Sequence, residues 1–147
     1  VQNYGDWFNV PYAITYFYNV YGNREIQTGK YATLIALFKE KMKNNEPLTV
    51  VSPGSQKRNF THIDDIIDAL VLVGENAYGD EFGIGSSESF SIKEIAEMYE
   101  GKIEMLPERK GNRMTADVMI SKTEALGWKS TRTVEKYIKE CKRNNWK

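Results

Sequence analysis

Cysteine is almost absent from this chain, since Cys141 is the only one in 147 residues. One cysteine cannot form an internal disulfide, so we expect a reducing, cytoplasmic compartment. No apolar run approaches the roughly 20 residues that a membrane-spanning helix needs, and the N-terminus has no secretory signal pattern. We therefore expect no membrane partner.

An excess of charge of either sign is also missing. Lysine and arginine together number 20, as do aspartate and glutamate, so the formal net charge is zero. Nucleic-acid-binding domains are usually strongly basic, so we expect no nucleic-acid partner and interpret the basic last helix as a solvated face. A single histidine, His62, with a single cysteine provides no zinc ligand set.

Two catalytic and cofactor patterns are absent as well. No tyrosine is followed by lysine four residues later, and no complete G-x-G-x-x-G run occurs. Gly83 and Gly85 begin such a run, but Glu88 occupies the place of the third glycine. Because a dinucleotide pyrophosphate needs close backbone approach at a helix start, we expect this chain alone to bind no dinucleotide.

The apolar content is sufficient for one domain with a core: 41% of the residues are hydrophobic and 12% are aromatic. Pro11 to Tyr18 is apolar at successive positions, which predicts a strand buried on both faces inside a parallel sheet. Further strands are expected at Leu48–Val51, Glu81–Gly85 and Lys102–Met105. Strands alternating with helices predict an α/β fold.

Capping residues and helical spacing predict the helices. We expect a helix tail over residues 1–9 and a helix from about Tyr31 that Pro47 ends. Thr61, Ser91 and Ser121 are predicted to be N-caps, with acidic residues three positions later. The predicted buried faces are Ile63, Ile66, Ile67 and Leu70 in the helix after Thr61, and Val134, Tyr137, Ile138 and Cys141 in the last helix.

Three polar positions could contact an anionic or sugar ligand. Arg58 opens the stretch RNFTHIDD between a glycine turn and an acidic helix start, where an arginine could donate two N–H groups to a phosphate. Asn19 follows the first strand, at the strand end where α/β sheets bind ligands. Arg109 and Arg113 flank Gly111. The same residues could equally be solvated surface arginines and an ordinary turn asparagine, with no ligand involved.

Four segments in order, YFYNVYG, LTVVSPGSQKRNFTHIDD, EFGIGSSESFSIKEIAE and PERKGNRMTADVMISKTEALGWKSTRTVEK, resemble the C-terminal half of the extended short-chain dehydrogenase/reductases. Within that group they are most similar to the NAD-dependent nucleotide-sugar epimerases and dehydratases typified by UDP-glucose 4-epimerase. The resemblance implies the C-terminal part of an extended Rossmann-type fold. Outer strands of the parallel sheet would accompany a small substrate-binding α/β lobe, with residues 1–23 ending the Rossmann half and residues 24–147 forming mostly the lobe.

The resemblance also implies six substrate-binding residues. In that family, equivalents of Asn19 touch the nucleotide sugar, and equivalents of Arg58 and Arg109 hold the diphosphate. Equivalents of Thr49 and Val51 line the base pocket. Two positions depart from the family pattern. Asn112 stands where the epimerases often carry a ribose-binding aspartate, and Tyr16, three residues before Asn19, stands where the family usually has an arginine.

The family's NAD-binding glycine fingerprint and its catalytic Tyr-x-x-x-Lys pair would lie upstream of Val1. The resemblance therefore implies NAD in a full-length parent and no catalytic residue in this chain. The expected ligand is a nucleotide-diphosphate sugar, with a UDP-sugar favoured. The expected protein partner is either the missing N-terminal half or a second copy of the chain. Two alternatives remain at this point: a stand-alone, non-catalytic nucleotide-sugar or anion-binding module, and a purely structural domain.

Overall fold

The computed structural model describes residues 1–111, 114, 115 and 117–146. Helices and strands alternate along the described chain, as the sequence predicted. The helices are α1 (Gln2–Phe8), α2 (Leu34–Lys43), α3 (Ile63–Asn76), α4 (Ile92–Met98), α5 (Ser121–Ala125) and α6 (Val134–Arg143). The strands are β1 (Ala13–Phe17), β2 (Val20–Tyr21), β3 (Leu48–Val51), β4 (Lys57–Arg58), β5 (Thr61–His62), β6 (Gly79–Ile84), β7 (Phe90–Ser91) and β8 (Ile103–Leu106).

Strands β1 and β6 form a parallel pair in which Phe17 lies opposite Ile84. Helix α3 comes between them in sequence and packs against both, as a helix in the crossover connection of a parallel pair does. Within the described residues, the other edge of β1 has no partner strand, and Tyr16 and Phe17 are 41% and 50% exposed. The predicted burial of this strand on both faces is therefore wrong at its C-terminal end, because Tyr16 and Phe17 point to opposite faces and the described residues leave both exposed.

The remaining elements surround a separate core. Strand β3 pairs in parallel with β8, β4 pairs antiparallel with β7, and β2 pairs in parallel with β5. Helices α2, α4 and α6 contribute apolar faces to one cluster that includes buried Phe38, Leu48, Ile95 and Ile138. All four residues predicted to form the buried face of α6 are buried, which confirms that pattern.

Helix α3 differs from its sequence prediction in both its cap and its buried face. His62, not Thr61, is the N-cap: its Nδ1 accepts from the Asp64 N–H at 3.2 Å. Thr61 instead belongs to β5. The predicted stripe is wrong at Ile67 and Leu70, which are exposed, because the helix turns the carboxylate of Asp65 inward.

Two other helix starts also differ. Helix α2 begins after its N-cap Thr33, leaving Tyr31 exposed, and it ends at Lys43, well before Pro47. Helix α5 has Ile120 as its N-cap and no side-chain cap, so the predicted role of Ser121 is wrong. No helix of the described ranges is long and apolar enough to cross a membrane.

Candidate functional site

Asn19 occupies the turn that connects β1 to β2. Its backbone is left-handed (φ 39°), and its side chain is exposed. Its carbonyl oxygen accepts the N–H of Thr61 at 3.3 Å. This bond joins the end of β1 to the RNFTHIDD segment, so Asn19 and Arg58 lie on neighbouring segments. We refer to these joined segments as the edge that carries Asn19 and Arg58.

Arg58 lies on β4, opposite Phe90 of β7, with a half-buried side chain. Its only hydrogen bond in the described structure runs from Nη1 to the carbonyl oxygen of Lys57, at 2.6 Å. No carboxylate of the described residues lies within 4.0 Å of its guanidinium. The charge therefore remains available to an anion, since a backbone carbonyl does not neutralise it.

Thr49 and Val51 share the half-buried face of β3, while the intervening Val50 is buried. Val51 lies opposite Leu106, the last residue of β8, and the Ser52 N–H bonds to the Leu106 carbonyl oxygen at 2.9 Å. The loop that carries Arg109 begins directly after Leu106. Thus β3, which carries Thr49 and Val51, lies next to the start of the Arg109 loop.

The same loop returns to the strand of Arg58. The Lys57 N–H donates to the carbonyl oxygen of Met114 at 2.8 Å, which ties the far end of the loop to β4. Arg109 is exposed. Asn112, the sixth predicted residue, and Arg113 lie outside the described residues. Five predicted residues therefore occur on segments joined by backbone hydrogen bonds.

Carboxylates lie in the first turns of two helices, α3 and α4. Helix α3 begins with Asp64 and Asp65. Helix α4 is closed by a capping box: the Ser91 hydroxyl accepts from the Glu94 N–H, and the Glu94 carboxylate accepts from the Ser91 N–H. These bonds hold the pKa of Glu94 below its usual value, so a carboxylate occupies the place that a phosphate would need.

Asp65 is the hub of a network that the sequence did not predict. Its carboxylate is buried and accepts hydrogen bonds from the backbone N–H groups of Thr131 and Arg132 and from Ser130 Oγ, Thr131 Oγ1 and Arg132 Nη1. Burial alone would raise the pKa of Asp65, but the bonds from Arg132 and Thr131 outweigh it and lower the pKa. The only sequence signal was the second acidic residue in the helix start.

A surface cavity of about 420 Å³ lies elsewhere, between α6 and the start of α3. Its lining includes His62, Arg132 and Tyr137, and none of the five described candidate residues. Arg132 is already paired with Asp64, Asp65 and Asp68, so the charge of this arginine is not available to an anion in the cavity.

Comparisons with known proteins agree with the arrangement of the fold. The family model described as "NAD dependent epimerase/dehydratase family" matches residues 1–85. A Methanocaldococcus jannaschii protein assigned as a UDP-glucose 4-epimerase is 28% identical over 99% of this chain and 48% of its own length.

Solved structures show the same fold. The Thermotoga maritima UDP-glucose 4-epimerase, solved with UDP-glucose, superimposes with a TM-score of 0.89 at 23% identity, over 99% of this chain and 50% of that one. The Bacillus cereus UDP-glucuronic acid 4-epimerase, solved with UDP-glucuronic acid and NAD, gives 0.79 at 26% identity, over 94% and 46%. The chain spans about half the length of the curated relatives it matches.

Proposed function

This chain belongs to the NAD-dependent epimerase/dehydratase family, and from that premise we propose that it is the part of a nucleotide-sugar epimerase or dehydratase that binds the nucleotide sugar. A UDP-sugar is the proposed ligand, since both solved relatives described above were crystallised with one. The observation that carries the proposal is the joined edge on which Arg58 keeps a half-buried charge without a carboxylate partner among the described residues.

Each candidate residue has a role in this proposal. Arg58 and Arg109 neutralise the diphosphate, and the fork of N–H groups on each guanidinium suits phosphate oxygens. Asn19 bonds sugar hydroxyls, because its amide both donates and accepts. The half-buried face of Thr49 and Val51 packs against the base. Asn112, outside the described residues, is the proposed ribose contact.

We further propose that the chain by itself binds without converting its ligand. A family enzyme needs NAD to accept and return a hydride and a tyrosine to move the proton. The sequence holds no complete glycine fingerprint for NAD, and no tyrosine stands four residues before a lysine. The carboxylates at the starts of α3 and α4 also disfavour a pyrophosphate at those two helices. NAD and the catalytic pair would come from a segment equivalent to the other half of the relatives, in a full-length parent.

Titration calorimetry with UDP-glucose and dTDP-glucose tests the binding proposal. We expect Arg58→Ala to weaken UDP-sugar binding by about 2 kcal/mol, roughly thirtyfold, because a charged hydrogen-bond partner of the diphosphate is removed. Lys57→Ala is the matched control, since it removes the same charge from the adjacent, exposed position, and we expect its dissociation constant to stay within about twofold.

Three results would count against these proposals. Absence of binding heat with either sugar nucleotide, in a sample that unfolds cooperatively, would rule out the ligand-binding role and leave the structural-domain alternative. Equal losses in Arg58→Ala and Lys57→Ala would show that only general positive charge matters. Turnover of UDP-glucose with NAD by this chain alone would contradict binding without conversion.

A further inference from the structure

We propose that Thr61 and Asn59 are positioning residues of the ligand-binding edge, and that they fix the Ser86–Glu88 loop as one of its walls. This inference rests on the proposed function, because it concerns the same edge that carries Asn19 and Arg58. Neither residue is among the six predicted substrate contacts.

Thr61 connects two segments at once. It is fully buried, its N–H donates to the Asn19 carbonyl oxygen at 3.3 Å, and its Oγ1 accepts the Ser86 N–H at 3.0 Å. Its backbone therefore sets the turn that carries Asn19, while its hydroxyl sets the first residue of the loop after β6. Removing the hydroxyl would leave the Ser86 N–H buried without its acceptor.

Asn59 holds the same loop at two further points. Its amide is 4% exposed, and Nδ2 donates to the carbonyl oxygens of Ser86 at 2.8 Å and Glu88 at 3.2 Å. Both partners are acceptors, so an aspartate here would place its carboxylate against two carbonyl oxygens. Asn59 lies directly after Arg58, so the loop is tied to the strand of the proposed diphosphate ligand.

The residue before the loop is also confined. The ring of Tyr18, the neighbour of Asn19, lies so close to Gly85 that an added Cβ would come within 2.7 Å of it. The chain thus leaves β6 against Tyr18 at Gly85 and is held by Asn59 and Thr61 at Ser86. Ser87 and Glu88 remain exposed at its tip, beside the edge where the ligand is proposed to bind.

A rigid wall is useful at a binding edge because a ligand then need not order the loop when it binds. If the loop had a purely architectural role, its hydrogen bonds to Thr61 and Asn59 would contribute to stability and not to ligand binding. The two roles differ in what a folded variant does: a positioning role predicts weaker ligand binding when a tie is removed, and an architectural role predicts unchanged binding.

Thr61→Val and Thr61→Ser form the matched test pair, since valine keeps the shape without the hydroxyl and serine keeps the hydroxyl. At a temperature where all proteins are folded, we expect Thr61→Val to bind UDP-glucose about tenfold more weakly. We also expect faster hydrogen exchange at the Ser86 amide. Thr61→Ser should restore both to near the unsubstituted values. Asn59→Asp is a second variant with the same expected direction.

The outcomes separate the two proposals. If the unsubstituted chain binds UDP-glucose and Thr61→Val binds it equally well while folded, the positioning role is wrong and the proposed function stands. If the unsubstituted chain does not bind, both are overturned. If Thr61→Val and Asn59→Asp both fail to fold, the two residues belong to the architecture alone and the positioning role is rejected.

Discussion

At the scale of single residues, Asp65 is the side chain on which stability depends most clearly. Its buried carboxylate is surrounded by donors from Ser130, Thr131 and Arg132. We expect Asp65→Asn to lower the free energy of unfolding by about 3 kcal/mol, because the amide cannot accept from all of these donors. Chemical denaturation at neutral pH measures the change.

Asp68→Asn is the control for this variant. Asp68 contacts the same Arg132 Nη1 at 3.3 Å, but its side chain is 64% exposed, so we expect a loss below about 0.5 kcal/mol. A similar loss in both variants would show that the pairing with Arg132, rather than the buried network, carries the effect.

The same carboxylate predicts how stability varies with pH. The folded state lowers the pKa of Asp65, so its contribution is fully present above the unfolded value of about 3.9 and is lost as pH falls through the folded value. We expect the free energy of unfolding to fall below about pH 4 more steeply in the unsubstituted chain than in Asp65→Asn. Parallel curves in urea titrations from pH 7 to pH 2 would contradict this.

Gly83 is required for space rather than for backbone freedom. A Cβ there would lie 1.9 Å from the Met119 carbonyl oxygen, so we expect Gly83→Ala to destabilise the fold by at least about 2 kcal/mol. Gly74→Ala is the control, since no atom lies within 4 Å of its added Cβ in α3, and it should be neutral or stabilise by up to about 1 kcal/mol. Thermal unfolding of both variants checks the contrast.

At the scale of elements, α4 and α5 provide a test of capping. Ser91 closes the capping box of α4, whereas Ser121 makes no side-chain cap in α5. We expect Ser91→Ala to cost about 1 kcal/mol, or about 3 °C in Tm, because the Glu94 N–H loses the hydroxyl that accepts its hydrogen bond. Ser121→Ala should change Tm by less than about 1 °C, and a larger loss at Ser121 would contradict the assignment.

Local patterns were enough to predict much of the fold. The apolar run after Pro11, the strand at Leu48–Val51 and the buried face of α6 follow from residue type and spacing alone, and each is present. The two-residue strands β2, β4, β5 and β7 were not predicted, since their hydrogen bonds join residues far apart in sequence. Periodicity inside a segment of two residues carries no information.

The wrong N-cap at Thr61 and the unforeseen network of Asp65 both have tertiary causes. Thr61 has the residue type of an N-cap, but its hydroxyl bonds to Ser86 on another segment. Asp65 has the position of a dipole-favoured acid, yet it is turned into the interior by donors near the C-terminus. Candidate site residues were identified by family resemblance, whereas the bonds that join their segments required the structure.

At the scale of the whole molecule, the edge of β1 that no described strand covers predicts association. Phe17 is 50% exposed on this edge, and Trp7 of α1 is 75% exposed. An unpaired strand with apolar side chains recruits another strand, so we expect the isolated chain to self-associate in sedimentation velocity runs. Phe17→Lys should shift the distribution towards monomer.

Ile26→Lys is the matched control for this substitution. Ile26 is also exposed, at 58%, but it lies in the loop after β2 rather than on the strand edge. We expect its sedimentation to match the unsubstituted chain. A clean monomer of the unsubstituted chain at high concentration would show that the edge is not sufficient for association.

The shared core also determines where this polypeptide can be shortened. The family match ends at residue 85, but Phe38 and Leu48 are buried against Ile95 and Ile138, which come after it. The Tyr99 hydroxyl, moreover, donates to the Ile35 carbonyl oxygen at 2.9 Å. A truncation at residue 85 would therefore remove the residues against which Phe38 and Leu48 pack, so we expect residues 1–85 alone not to form a stable fold.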